Sequence, residues 1–223
     1  MKQIKKLTAI KYGETFIDEG MAYQGGDKTV SVPISLIVYL IETENRKILV
    51  DAGCESMPGF VLSHFCSPAD VLRRAGTCPE EITDVVLTHA HYDHAEATRL
   101  YQNATVYVEE GELSAARRFL PDGIRVQVFT DLIVLDDAVT VRKIGGHSAG
   151  SCVAEFLHGS KTGVICGDEC YVRRCLDEKI PTGVSVCPEK SLAFVEKYGN
   201  GDYFTLLCHD GEILKGQNGF LEM

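Results

Sequence analysis

The chain lacks any excess of positive charge: 22 Lys and Arg stand against 32 Asp and Glu, a formal net charge of −10. That balance argues against a protein whose main affinity comes from neutralising nucleic-acid phosphates, although a local basic patch stays compatible with it. Long apolar runs are also missing. The longest, Ile34 to Ile41, is eight residues and contains Ser35, whereas a membrane-spanning helix needs about 20. Met1-Lys2-Gln3-Ile4-Lys5-Lys6 is not followed by the apolar stretch of a secretory signal, so a cytoplasmic location is expected. No Pro-, Gly- or Ser-rich linker, low-complexity tract or fixed-period repeat interrupts the 223 residues, which reads as one domain over 1–223. Paired cysteine spacing is absent as well. The nine cysteines are odd in number and scattered, and Cys166, Cys170 and Cys175 lack the C-x2-C spacing of a zinc knuckle, so all are read as free thiols.

What is present suits a packed core: 45% of the residues are hydrophobic, in a chain long enough to bury most of its apolar surface. Strands are predicted at Lys6–Lys11, Ile34–Ile41 and Lys47–Val50, the last two forming an antiparallel hairpin across a polar turn. Ser67 is a candidate cap for a helix with Pro68 at its first position and Gly76 at its end. Further strands are expected at Thr83–Thr88, Thr105–Val108, Val126–Phe129, Val139–Ile144, Val153–Leu157, Val164–Cys166 and Tyr203–Cys208. Helices are expected at Glu109–Leu120 and Pro188–Tyr198. Strand-rich halves that each carry helices imply two packed sheets with helices on the outer faces.

The strongest chemical signal is Thr88-His89-Ala90-His91-Tyr92-Asp93-His94, directly after a predicted buried strand. Alternate residues of an extended segment point the same way, so His89 and His91 can converge on one ion while Asp93 and His94 reach a second. Crowded imidazoles repel when protonated and cost desolvation when buried. Metal ligation relieves both, because neutral imidazole and carboxylate are good ligands for zinc or iron. Taken alone, His147 after two glycines reads equally as a turn residue, His209 as a core histidine and Asp168 as a turn aspartate. His64 and His158 match no motif; His158, beside a Gly-Ser turn, is expected at the surface, and His64 in a loop that can flank the cleft.

The H-x-H-x-D-H run, followed by Gly146-His147-Ser148-Ala149-Gly150, Gly167-Asp168 and Cys208-His209 and preceded by Asp51-Ala52-Gly53, resembles the metallo-β-lactamase superfamily over nearly the whole chain. The resemblance implies an α+β fold, an αββα four-layer sandwich of two mixed sheets with helices outside. It implies two divalent ions per chain, zinc first, with iron or manganese as alternatives. His89, His91 and His147 would bind the first ion, Asp93, His94 and His209 the second, with Asp168 bridging both and Asp51 in support. Tyr171, three residues after Asp168, and the run Val32–Glu42 leading into Ile48–Asp51 resemble the N-acyl-homoserine-lactonase branch.

That branch implies hydrolysis of a lactone or related ester by a hydroxide held between two metals. Tyr171 would meet the carbonyl oxygen, and Asp93 would pass a proton to the leaving group. The substrate would be a small molecule, with neither nucleic acid nor membrane as partner; the sequence leaves the oligomeric state open. Ala95-Glu96-Ala97 stands where relatives commonly have glycines, Ser151 where lactonases often carry a second histidine, and 54–81 is short for a long acyl-binding insertion. These departures favour short-chain lactones or another ester. Two rival readings share the superfamily, an iron-dependent persulfide dioxygenase and a glyoxalase-II-like thioester hydrolase. The latter usually adds a helical glutathione-binding domain, and only fourteen residues follow His209.

Overall fold

A computed structural model describes residues 1–217 and 219–223. Twelve strands form in chain order: β1 (Lys6–Asp18), β2 (Ser31–Glu42), β3 (Lys47–Val50), β4 (Asp84–Val86), β5 (Thr105–Glu109), β6 (Arg125–Phe129), β7 (Leu132–Leu135), β8 (Val139–Lys143), β9 (Cys152–His158), β10 (Lys161–Ile165), β11 (Tyr203–Leu206) and β12 (Phe220–Glu222). Seven make one sheet in the order β12-β1-β2-β3-β4-β5-β6 and five the other, β11-β10-β9-β8-β7. Both sheets are mixed. The larger is antiparallel from β12 to β3 and parallel from β3 to β6, and the smaller has one parallel pair, β10 with β11.

The eight-residue apolar run is explained by its place within the larger sheet. β2 is covered on both faces, so its alternate side chains enter two different cores. Leu36, Val38 and Leu40 pack outward against Val71 and Leu72 of the helix Pro68–Arg74. Ile37, Tyr39 and Ile41 pack inward against Val141, Ala154 and Phe156 of the smaller sheet. Beyond the smaller sheet, Val153 and Val164 meet Leu176 of the helix Arg173–Glu178 and Phe194 and Val195 of the helix Pro188–Tyr198. Helix, sheet, sheet and helix thus form the four expected layers.

Several elements depart from the sequence expectation. Glu109–Leu120 is not one α-helix: Glu109 ends β5, and 3-10 turns at Glu110–Glu112 and Arg117–Phe119 flank a short α-helical turn at Leu113–Ala116. The buried side chains of Glu109 and Glu112 take hydrogen bonds from loop amides, which holds this segment out of regular helical geometry. Ser67 precedes its helix but does not cap it, since its hydroxyl donates to Glu55 instead (2.9 Å). β1 runs seven residues past the predicted end because its whole length pairs with β2 across a bulge at Lys11–Gly13. β7, β12 and the helices Glu19–Ala22 and Arg173–Glu178 were not anticipated; each is six residues or fewer, too short for a periodic signal.

Among the described residues no helix is long and apolar enough to cross a membrane. All nine cysteines are free thiols. The inter-sheet core holds the two halves of the site together, and Phe156 is fully buried within it. Phe156→Ala is expected to cost about 3–5 kcal/mol, read from the urea midpoint at constant slope; a loss below about 1 kcal/mol would contradict this packing.

Candidate metal centre

Five strand ends meet along one edge of the sandwich and supply the site. β3 delivers Asp51, β4 the loop with His89 and His91, β8 the loop with His147, β10 Asp168 and β11 His209. His91 immediately precedes the short helix Tyr92–Ala95, which carries Asp93 and His94. Gly167 adopts φ +52°, and a Cβ there would lie 3.0 Å from the Thr88 side chain, so the turn that presents Asp168 against the histidine loop favours glycine.

All seven predicted ligands come together, in two sets sharing one carboxylate. In the first, His91 Nδ1 lies 3.0 Å from both His89 Nε2 and His147 Nε2. Asp168 Oδ2 is 3.5 Å from His89 Nε2 and 3.6 Å from His147 Nε2. In the second, Asp168 Oδ1 is 3.0 Å from both His94 Nε2 and His209 Nε2, and Asp93 Oδ2 is 3.5 Å from each. The two oxygens of Asp168 therefore face different sets.

The far side of each buried imidazole is tied down. His94 Nδ1 donates to Asp51 (2.8 Å), His147 Nδ1 to the Val184 carbonyl (2.8 Å) and His209 Nδ1 to the Ser35 carbonyl (3.0 Å). Thr88 gives its hydroxyl proton to Asp51 (2.9 Å), so its oxygen accepts from His89 Nδ1 (3.1 Å). For the neutral imidazole, each contact selects the tautomer with the proton on Nδ1, the form that leaves Nε2 available to a metal. Asp51 is the hub of this support: it also accepts from the Thr88 amide (2.7 Å) and holds a left-handed backbone at φ 66°. Asp51, His94 and Cys208 form a third compact group, but the Asp51 carboxylate is already committed to Thr88 and His94, which makes this group support rather than a separate site.

Whether the donors fit metal ions can be judged from their unmet valences. His94 Nε2, His209 Nε2 and Asp168 Oδ1 are buried and have no hydrogen-bond partner, although the Asp168 oxygen lies 3.0 Å from each nitrogen. A tetrahedral ion with bonds of about 2.0–2.1 Å separates neighbouring ligand atoms by about 3.3 Å, close to the spacings found. The His/Asp clusters suit a dinuclear metal site.

Electrostatics separate the two sets. Burial, then the charge of His94, drives His89 well below the usual histidine range, and burial with His147 lowers His91. Burial also opposes charge on His94 and His209, but Asp168 and Asp93, with Asp51 for His94, outweigh it and raise both. Against its own burial, Asp168 is held ionised by His94, His209 and His89. The Asp93 carboxyl is lowered in the same way, with His94 and His209 overcoming burial.

Tyr171 packs against the histidine cluster. Its ring stacks on His209 (4.9 Å between centroids, 19°) and meets His147 edge-on at 5.9 Å. Burial first, then Asp168 and Asp93, pushes its phenol well above the usual range, so it stays a donor. Tyr171, His91 and Asp93 form the polar end of a cavity of about 210 Å³ whose other walls include Met21, Met57 and Phe60. His64 lines a different cavity, with Lys11 and Arg74. His158 is half-buried rather than exposed, because it stacks on Phe204 (4.5 Å, 19°).

Sequence reasoning missed the backbone acceptors at Ser35 and Val184, which no residue type advertises, and two buried glutamates. Glu169 accepts from the amides of Gly146 (3.0 Å) and His147 (3.2 Å) and from the Ser151 hydroxyl. Glu112 accepts from Ala90, Ser148 and Gly150. Glu169 has one visible signal, its place beside Asp168; Glu112 sits in an acidic run that reads as a solvated face.

Comparison with known proteins agrees with this geometry. Residues 38–193 match the sequence profile of the metallo-beta-lactamase superfamily. The N-acyl homoserine lactonase AiiB of Agrobacterium fabrum is 25% identical, with 97% of this chain and 99% of that protein covered. The N-acyl homoserine lactonase AiiA of Bacillus thuringiensis subsp. kurstaki is 22% identical over 87% of each. A solved N-acyl homoserine lactone hydrolase, with the product N-hexanoyl-L-homoserine at its catalytic metal center, shares the fold at TM-score 0.82 and 20% identity, covering 96% of both chains. With its profile match spanning more than half its length and its motifs converging at one edge of the sandwich, the chain belongs to the metallo-beta-lactamase superfamily.

Proposed function

We propose that this chain is a dinuclear metallohydrolase that opens a lactone or related ester, with a short-chain N-acyl homoserine lactone as the leading substrate. The observation that carries the reading is the Asp168 carboxylate, one oxygen near His89 and His147 and the other near His94 and His209, beside a largely apolar cavity that Tyr171 helps to line. His89, His91 and His147 would hold one ion, Asp93, His94 and His209 the other, and Asp168 would bridge them. Zinc suits this nitrogen and oxygen donor set. The lactonase names of the relatives support the substrate class.

Two adjacent divalent ions, when bound, supply Lewis acidity and a hydroxide source at neutral pH. The chain's own residues do the rest. Tyr171, neutral and buried, donates its phenolic hydrogen to the substrate carbonyl oxygen as negative charge develops there. Asp93, ionised and lining the cavity, accepts a proton at its carboxylate from the attacking water and returns it to the departing alkoxide. Met21, Met57 and Phe60 exclude water around the acyl group. Because the cavity, at about 210 Å³, falls below the range of about 300–1,000 Å³ typical of ligand sites, it favours short acyl chains. No lysine or arginine lines it, which favours a neutral ester over a phosphoester.

Ring opening of a lactone panel, followed by acid release, tests the reading: four- to six-carbon acyl chains should be turned over faster than twelve-carbon ones, and no hydrolysis of any lactone by metal-replete protein would refute it. Tyr171→Phe should lower kcat about 100-fold, with metal content unchanged. Asp93→Asn with both ions bound should lower turnover about 10²–10⁴-fold; full activity would remove Asp93 from the proton path.

Metal loading should depend on pH with a definite sign. His94 and His209, raised above about 6.5 in the metal-free protein, hold protons that ligation must displace. Binding at pH 7 should therefore release protons and weaken as pH falls from 8 to 6. Calorimetry in buffers of different ionisation enthalpy reads this directly, and a buffer-independent heat would contradict it.

A further inference from the structure

We infer that Glu112 is a positioning residue that sets the spacing of the three-histidine half of the centre by locking the His147 loop to the His89–His91 loop; this rests on reading the cluster as a metal site. Glu112 Oε2 accepts from the amide of Ala90 (3.0 Å), the residue between His89 and His91. Its Oε1 accepts from the Ser148 hydroxyl (2.7 Å) and the Gly150 amide (2.8 Å), one and three residues after His147. One carboxylate thus joins the two loops that carry all three imidazoles, and among the described residues it is the one side chain from outside these loops that hydrogen-bonds to both.

The packing around Glu112 points the same way. The residue is 5% exposed and has no ion-pair partner among the described residues, so its charge is compensated by these three donors alone. Burying a carboxylate in that manner is costly unless every donor is in place. The backbones also approach too closely for slack: a Cβ on Gly150 would lie 2.8 Å from the Glu112 amide nitrogen and 3.0 Å from its Cγ. Any movement of the 148–150 segment therefore moves Glu112, and through Ala90 it moves His89 and His91. The Asp93, His94 and His209 set makes no hydrogen bond with Glu112 and is anchored separately, through Asp51 and Ser35.

Glutamine distinguishes positioning from bulk. Glu112→Gln keeps the shape but replaces one acceptor oxygen with an NH2 group. In either orientation that group faces an N–H donor, Ala90 on one side or Gly150 on the other. The test is stepwise Co(II) titration of the chelated full-length protein, following the visible spectrum of each site and its affinity by calorimetry. The wild type should take two equivalents. Glu112→Gln should weaken the three-histidine site about 10–100-fold and shift its cobalt bands, leaving the other site within about threefold. Glu155→Gln controls for stability, since Glu155 binds Arg142 (3.1 Å) and Tyr198 (2.7 Å) away from the loops; it should leave both affinities unchanged.

Should Glu112→Gln fail to fold, Ser148→Ala, which deletes one of the three donors, should produce a smaller loss at the same site. Wild-type affinities and spectra in whichever of these variants folds would overturn the inference while leaving the metal reading intact. Equal weakening at both sites would also overturn it, as the mark of a merely structural role. A wild type that binds no cobalt would remove the metal reading, and the inference with it.

Discussion

The arrangement depends on one carboxylate shared by four imidazoles. Asp168 is buried, with each oxygen 3.0–3.6 Å from two histidine nitrogens, in a pocket where His94 and His209 are pushed toward protonation and His89 and His91 away from it. Without cations, the interior contains lone pairs that face one another and valences that nothing in the protein meets. Two divalent ions would resolve both conflicts, and the His/Asp clusters suit such a dinuclear site.

The fold supplies the rigidity that such a site needs. Each candidate ligand lies in a loop, turn or short helix that follows a strand whose body is packed in the core, so that packing helps to fix the donor positions. The outer ring of contacts is built from parts with no reactivity of their own: Asp51 in a left-handed turn, the Thr88 hydroxyl passing orientation from Asp51 to His89, and the carbonyls of Ser35 and Val184. These contacts choose the tautomers, and the tautomers decide which nitrogen is available. Glu112 and Glu169 add a second constraint, since both accept hydrogen bonds from the His147 loop.

Much of this was legible in the sequence, for identifiable reasons. The H-x-H-x-D-H run concentrates ligands at a spacing that extended backbone converts into convergence, and the later Gly-His, Gly-Asp and Cys-His pairs follow predicted strands. The hairpin of β2 and β3 and the helix Pro188–Tyr198 were readable because their patterning is long or their punctuation sharp. The segment after β5 was misread because its apolar spacing fits a helix, whereas two of its glutamates turn inward to serve loops distant in sequence. Backbone acceptors such as Ser35 and Val184 leave no trace in residue identity. Ser151, a departure from relatives at the sequence level, is accounted for by its hydroxyl donating to Glu169.

The central claim is a paired metal centre bridged by Asp168, and elemental analysis of protein purified without added metal tests it most directly. About two zinc ions per chain, falling to one or fewer in Asp168→Ala, is the predicted result. A single iron per chain, unchanged by that substitution, would contradict the account and favour mononuclear iron chemistry on this fold.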